Sequence, residues 1–144
     1  METIIRTIRE LEAEAKRFAH ELVPQQKGAT LVTLTGELGA GKTAFVQATA
    51  KALGVVDAVT SPTFVLEKIY TFGHPMSEFK RLVHIDAYRL EREKDLGPLR
   101  FDELMRDREN LIMLEWPERV GLDTGDVAIA LRINTDSSRT ITYG

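Results

Sequence analysis

The amino-acid sequence reads as an α/β protein: a mainly parallel β-sheet with antiparallel edge strands, flanked by helices. Three observations carry this reading. Residues 36–43, Gly-Glu-Leu-Gly-Ala-Gly-Lys-Thr, form a complete G-x-x-x-x-G-K-[ST] pattern between a strand-like run, Leu31 to Leu34, and a helical run, Ala44 to Leu53, that stops at Gly54. Leu111-Ile112-Met113-Leu114 is a near-continuous apolar run of the kind buried on both faces of a parallel sheet. Val127, Ile129, Leu131 and Ile133 alternate with other residues, and another strand-like run follows at 139–143, so the chain closes on two consecutive strands with one face half exposed.

The remaining elements follow in order. Thr7-Ile8-Arg9-Glu10 fits a capping box, and Ile8, Leu11, Ala15, Phe18 and Leu22 recur at helical spacing until Pro24. Gln25 to Ala29 is a loop, and a strand covers 30–35. After the glycine-rich loop and its helix, 55–59 is a connection and 63–70 a strand. Gly73-His74-Pro75 is a turn within an exposed hairpin tip at 71–80. Arg81 to Asp86 is a strand, and Arg100 to Arg108 a short helix after Gly97-Pro98. The 144 residues make one domain, 1–144, with no room for a separate substrate domain.

Bulk properties exclude several classes. The net charge of −3 argues against an electrostatic nucleic-acid binder. With no cysteine, disulfides, thiolate metal sites and cysteine nucleophiles are out. Met1 to Arg6 lacks the long apolar core of a signal peptide, and no run approaches membrane-spanning length, so a cytoplasmic protein is expected.

The chemistry centres on the loop. Gly36, Gly39 and Gly41 let the backbone turn tightly, so that N–H groups of residues 36–43, Glu37, Leu38 and Ala40 among them, can converge on an anion. The following helix offers its positive end to phosphate. Lys42 is expected to reach the β- and γ-phosphates and the Thr43 hydroxyl to ligate Mg²⁺. Hydrolysis also needs a carboxylate at the end of a neighbouring strand. Asp86, after Leu82 to Ile85, and Glu115, after Leu111 to Leu114, have that placement. Each could equally be an ordinary turn or cap acid.

Thr60, Ser61, Pro62 and Thr63 could form a γ-phosphate-sensing switch, but from composition alone an ordinary turn accounts for them. Arg89, three residues past Asp86, could steady transition-state charge or form a surface ion pair. Trp116 is a core residue or a pocket wall. His20 and His74 read as structural, and His84 as a core or near-site histidine, with a catalytic role as the alternative.

Gly36 to Thr43, Thr60-Ser-Pro-Thr-Phe64, His84-Ile-Asp-Ala-Tyr-Arg-Leu90 and Leu114-Glu-Trp-Pro-Glu118 occur in this order. Together they resemble the TsaE (YjeE) family, and the resemblance covers nearly the whole chain. It implies a P-loop NTPase-like fold and an ATPase with ATP and Mg²⁺ as cofactors. It also implies a complex with TsaB and TsaD in the threonylcarbamoyladenosine modification of ANN-decoding tRNA, with tRNA engaged indirectly. By the resemblance, Thr43 and Glu115 hold Mg²⁺ with Asp86 at or near it. Thr60 to Thr63 form one switch and Asp86 to Leu90, including Tyr88 and Arg89, a second. Arg139 in the last strand approaches the nucleotide.

Three other functions compete. A small-molecule kinase needs an arginine-rich lid, whereas 71–80 carries Lys80 and no arginine. A GTPase needs an Asn-Lys-x-Asp motif, which the sequence lacks. A non-catalytic nucleotide-gated module sits poorly with Lys42, Thr43, Asp86 and Glu115 all present.

Overall fold

Alternation along the strands places the functional end of this protein. The computed structural model describes residues 1–55, 67–72, 78–122 and 125–144. The strands among them are β1 (Glu2–Ile5), β2 (Thr30–Thr35), β3 (Glu67–Thr71), β4 (Arg81–Asp86), β5 (Asn110–Glu115), β6 (Val127–Ile133) and β7 (Arg139–Tyr143). They form one sheet in the order β1-β7-β6-β2-β5-β4-β3. β6, β2, β5 and β4 run parallel in the middle, while β3 pairs antiparallel at one edge and β7 and β1 antiparallel at the other.

Helices α1 (Ile8–Glu21) and α2 (Lys42–Ala52) cover one face. Their Phe18, Phe45 and Val46 join Leu34, Leu82, Leu111 and Met113 in one core. The other face packs under the 3-10 helix Glu93–Leu99, α3 (Phe101–Met105) and the 3-10 turn Pro117–Val120. There Leu96, Phe101 and Val120 meet Leu31, Val83, Ile85, Ile112 and Leu114. Successive β5 residues thus enter opposite cores, which is why Leu111 to Leu114 is apolar without a break. The same period carries His84 and Asp86 of β4, and Glu115 of β5, onto the α1/α2 side.

The caps match the sequence closely. The Thr7 hydroxyl accepts the Glu10 N–H at 3.1 Å, and the Glu10 carboxylate accepts the Arg6 N–H at 2.9 Å, one residue earlier than in a strict capping box. α2 ends in a Schellman turn: the Gly54 N–H donates to the Lys51 carbonyl and the Val55 N–H to the Ala50 carbonyl.

Three boundaries differ from expectation. β1 falls in the stretch the sequence left without an element; four residues that depend on pairing with β7 carry too little periodicity to be read. Arg100 is no helical residue: with φ 58° it is the left-handed joint between the 3-10 helix and α3, which is five residues long. α2 begins at Lys42, directly on the loop. Of the expected strand 63–70, residues 63–66 lie outside the described residues, as do His74 and 73–77 of the hairpin tip. Among the described residues, no helix is long and apolar enough to cross a membrane.

Candidate functional site at the carboxyl ends of the parallel strands

β2, β5 and β4 are adjacent, parallel and in register, with Leu34 opposite Glu115 and Glu115 opposite Asp86. Their carboxyl ends therefore reach one edge together, the place where open α/β sheets bind ligands. The glycine-rich loop leaves β2 there and feeds α2.

The loop is built by its glycines. Gly36 has φ 147°, and a Cβ on it would lie 2.5 Å from the Leu131 carbonyl oxygen of β6. Gly41, the residue before α2, has φ 107°. Lys42 is nearly buried, at 4% exposure, and its ammonium donates to the carbonyls of Gly36 (2.5 Å) and Glu37 (2.9 Å). It also lies 4.3 Å from the centre of the Trp116 ring. Burial lowers its pKa, opposed by Glu115, Asp86 and other nearby carboxylates.

Thr43 meets Glu115 directly, with its Oγ1 3.0 Å from Oε1 and 2.9 Å from Oε2. Glu115 is buried, and its Oε2 is also 2.5 Å from His84 Nε2. Asp86 accepts the Tyr88 N–H at 3.0 Å. Burial raises its pKa; the Tyr88 hydrogen bond opposes this and Glu115 adds to it. Leu38, Lys42, Thr43, Asp86, Tyr88, Glu115 and Trp116 are among the residues lining one concavity of about 280 Å³.

Tyr88 and Trp116 form its outer wall, with ring centroids 4.9 Å apart. The Arg119 guanidinium lies over both rings, at 4.9 Å from Tyr88 and 5.7 Å from Trp116. Trp116 adopts φ 60°, which turns the chain sharply after Glu115 while its N–H donates to the Leu34 carbonyl at 3.1 Å. A left-handed tryptophan at a strand end is a strained conformation of the kind that clusters at functional sites. Nothing in the local sequence marks Arg119 beyond its place three residues after Trp116.

Arg139 starts β7 on the other side of the loop. It donates to the carbonyls of Gly39 (3.3 Å) and Ser137 (2.5 Å). A second concavity of about 280 Å³ lies here, with Ile5, Arg6, Thr7, Gly39, Gly41 and Arg139 in its lining. Arg89 is exposed and makes no hydrogen bond or ion pair among the described residues. Thr60, Ser61, Pro62 and Thr63 lie outside the described residues. A roomier concavity, about 680 Å³, sits against α3 and its preceding 3-10 helix. It has basic and acidic side chains at its rim and lies away from the loop, so the loop concavity is the chemically organised one.

The donor set here consists of oxygens, Thr43 Oγ1 and the Glu115 carboxylate with Asp86 in the neighbouring register position, which suits a hard divalent cation. Among the described residues, no three His, Cys, Asp or Glu side chains are grouped to hold a metal on their own. Mg²⁺ takes few protein ligands and completes its shell with phosphate oxygens and water.

The fold is thus of the P-loop NTPase-like α/β class, with a strand–glycine-loop–helix unit beside two strand-end carboxylates. Comparison with known proteins narrows the class. The family model "Threonylcarbamoyl adenosine biosynthesis protein TsaE" matches residues 9–141. The chain is 38% identical over 121 residues to the tRNA threonylcarbamoyladenosine biosynthesis protein TsaE of Aquifex aeolicus, covering 83% of this chain and 81% of that protein. It is 34% identical over 133 residues to the TsaE of Bacillus subtilis, covering 90% and 78%. The crystal structure of YdiB from Bacillus subtilis superposes with a TM-score of 0.69 at 26% identity, covering 99% of this chain and 83% of that one. The chain belongs to the TsaE family.

Proposed function

We propose that this chain is a Mg²⁺-dependent ATPase that supports threonylcarbamoyladenosine synthesis on ANN-decoding tRNA in a cytoplasmic complex with TsaB and TsaD. The observation that carries the ATPase reading is the meeting of Thr43, at the start of α2, with the β5 carboxylate Glu115 beside the Lys42 ammonium. The assignment to tRNA modification rests on membership of the family.

The chain's own groups divide the work. The N–H groups of the loop and the first turn of α2 receive the phosphates. Lys42 exchanges the Gly36 and Glu37 carbonyls, which hold it now, for β- and γ-phosphate oxygens. Thr43 and Glu115 hold Mg²⁺, with Asp86 beside them. A cation held there would supply positive charge to offset the negative charge that develops in phosphoryl transfer. Arg139 and the concavity beside it receive the nucleoside end. Tyr88 and Trp116 shield the phosphates from solvent.

No arginine lines the phosphate concavity among the described residues. Hydrolysis alone is therefore slow, and a cationic group supplied by a partner raises it. Arg89, exposed beside the site, belongs to the switch that reports the nucleotide state. The net charge of −3 leaves tRNA to the partners.

The test is the Mg²⁺-ATP hydrolysis rate of the pure chain, alone and with TsaB–TsaD. A low rate that rises severalfold with the pair and is lost in Glu115→Ala supports the proposal. A rate indifferent to the pair overturns partner activation and returns attention to small-molecule phosphoryl acceptors.

A further inference from the structure

We infer that His84 is a positioning residue, whose Nε2–H fixes the Glu115 carboxylate in the orientation that receives Mg²⁺ with Thr43. The inference rests on the proposed Mg²⁺–nucleotide reading of the site.

His84 is fully buried, at 0% exposure, and its Nε2 lies 2.5 Å from Glu115 Oε2. A carboxylate only accepts, so the ring proton sits on Nε2. The other nitrogen, Nδ1, is also buried and has no hydrogen-bond partner among the described residues. Among the described residues, the ring's hydrogen bonding is thus directed at Glu115.

Packing does not account for an imidazole here. Among the neighbours of His84 on the same face, Leu82 and Met113 are buried apolar core residues, while Asp86 follows two residues along β4 and Lys68 stands opposite on β3. A leucine would fill the space without burying an unpartnered nitrogen, which carries a desolvation cost. What leucine could not do is hold a carboxylate. Glu115 Oε2 has two partners, His84 and Thr43, whereas Oε1 has Thr43 alone among the described residues. If the Thr43 hydroxyl turned to a cation, His84 alone would keep the carboxylate from rotating away. Donors behind a metal-binding carboxylate commonly act in this way, and their loss weakens metal binding about 10- to 100-fold.

The test compares wild type with His84→Leu and His84→Gln. Mn²⁺ binding in the presence of ADP is followed by electron paramagnetic resonance, and ADP binding in EDTA by calorimetry. Mn²⁺ affinity is expected to fall about tenfold or more in His84→Leu. In His84→Gln, whose amide N–H replaces Nε2–H, it recovers most of that loss. ADP affinity without metal stays within twofold in both. Independently, imidazole ¹⁵N spectra of the wild type show the Nε2–H tautomer, and its signal moves in Glu115→Ala.

Unchanged Mn²⁺ binding in His84→Leu, an equal loss in both variants, or a parallel loss of metal-free ADP binding overturns the positioning role. An Nδ1–H tautomer does so even where the leucine variant fails to fold. A wild-type chain that binds no Mn²⁺–ADP overturns the underlying reading instead, which separates the two failures.

Discussion

The Thr43 hydroxyl lies within 3.0 Å of both carboxylate oxygens of Glu115, a residue 72 positions later in the chain. This contact joins the start of α2 to the end of β5. Glu115→Gln keeps the volume but removes the charge, and Thr43→Val removes the hydroxyl. Each is expected to lower Mg²⁺-supported ATP hydrolysis about 100-fold, the usual cost of one preorganised electrostatic group. Thr43→Ser, which keeps the oxygen, retains most of the rate. Steady-state phosphate release at saturating Mg²⁺ reads the comparison.

Trp116 is the chain's single tryptophan, and Lys42 lies over its ring. Moving the ammonium onto phosphate changes the field at the indole. Intrinsic fluorescence is therefore expected to change on addition of Mg²⁺-ATP and to saturate with occupancy. Lys42→Ala should show little change at the same concentrations. A full response in that variant would place the phosphates elsewhere.

Two loop glycines should differ in cost. Gly39→Ala at φ 82° meets no heavy atom within 4 Å, so it bears backbone strain alone, about 1–3 kcal/mol. Gly36→Ala bears that strain and also drives a Cβ to 2.5 Å from the Leu131 carbonyl oxygen, adding about 1–3 kcal/mol of overpacking. Urea unfolding of the nucleotide-free proteins should rank Gly36→Ala as clearly the less stable.

Glu67 on the edge strand β3 gives a pH signature. Burial raises its pKa, and its Oε1 has no hydrogen-bond partner among the described residues. The folded chain therefore holds this proton to higher pH than the unfolded chain does. Its contribution to stability is full below the unfolded value and is lost as pH rises through the folded one. Wild type should lose stability relative to Glu67→Gln across that window, and the gap should be constant above it. Denaturant midpoints of the two proteins from pH 3.5 to 7.5 measure this.

The glycine-rich loop, β2, α2 and the alternating strand β6 were legible because each is written in contiguous residues: three glycines at fixed spacing, an apolar run, a period of two. Asp86 and Glu115 were legible as candidates because an acid after an apolar strand is a local pattern. The sequence allowed both a role at the site and an ordinary turn, and the parallel β2–β5–β4 register brings them to one edge.

Pairing and side-chain reach belong to the folded chain. β1 exists because β7 offers it a partner, and its four residues have no independent period. His84 was legible as a near-site candidate two residues before Asp86, but its contact with Glu115 depends on the alternation of β4 and β5. The left-handed turn at Trp116 and the Arg119 guanidinium over its ring depend on how the Pro117–Val120 turn packs. Arg139 reaches Gly39 across 100 positions only because β7 borders β6 and β6 borders β2. Short-range steric rules write themselves into neighbouring residues, so the sequence alone carried the cradle. Contacts between distant segments are set by sheet order and burial, so the meeting of Thr43, Glu115 and His84 emerged only when the strands were assembled.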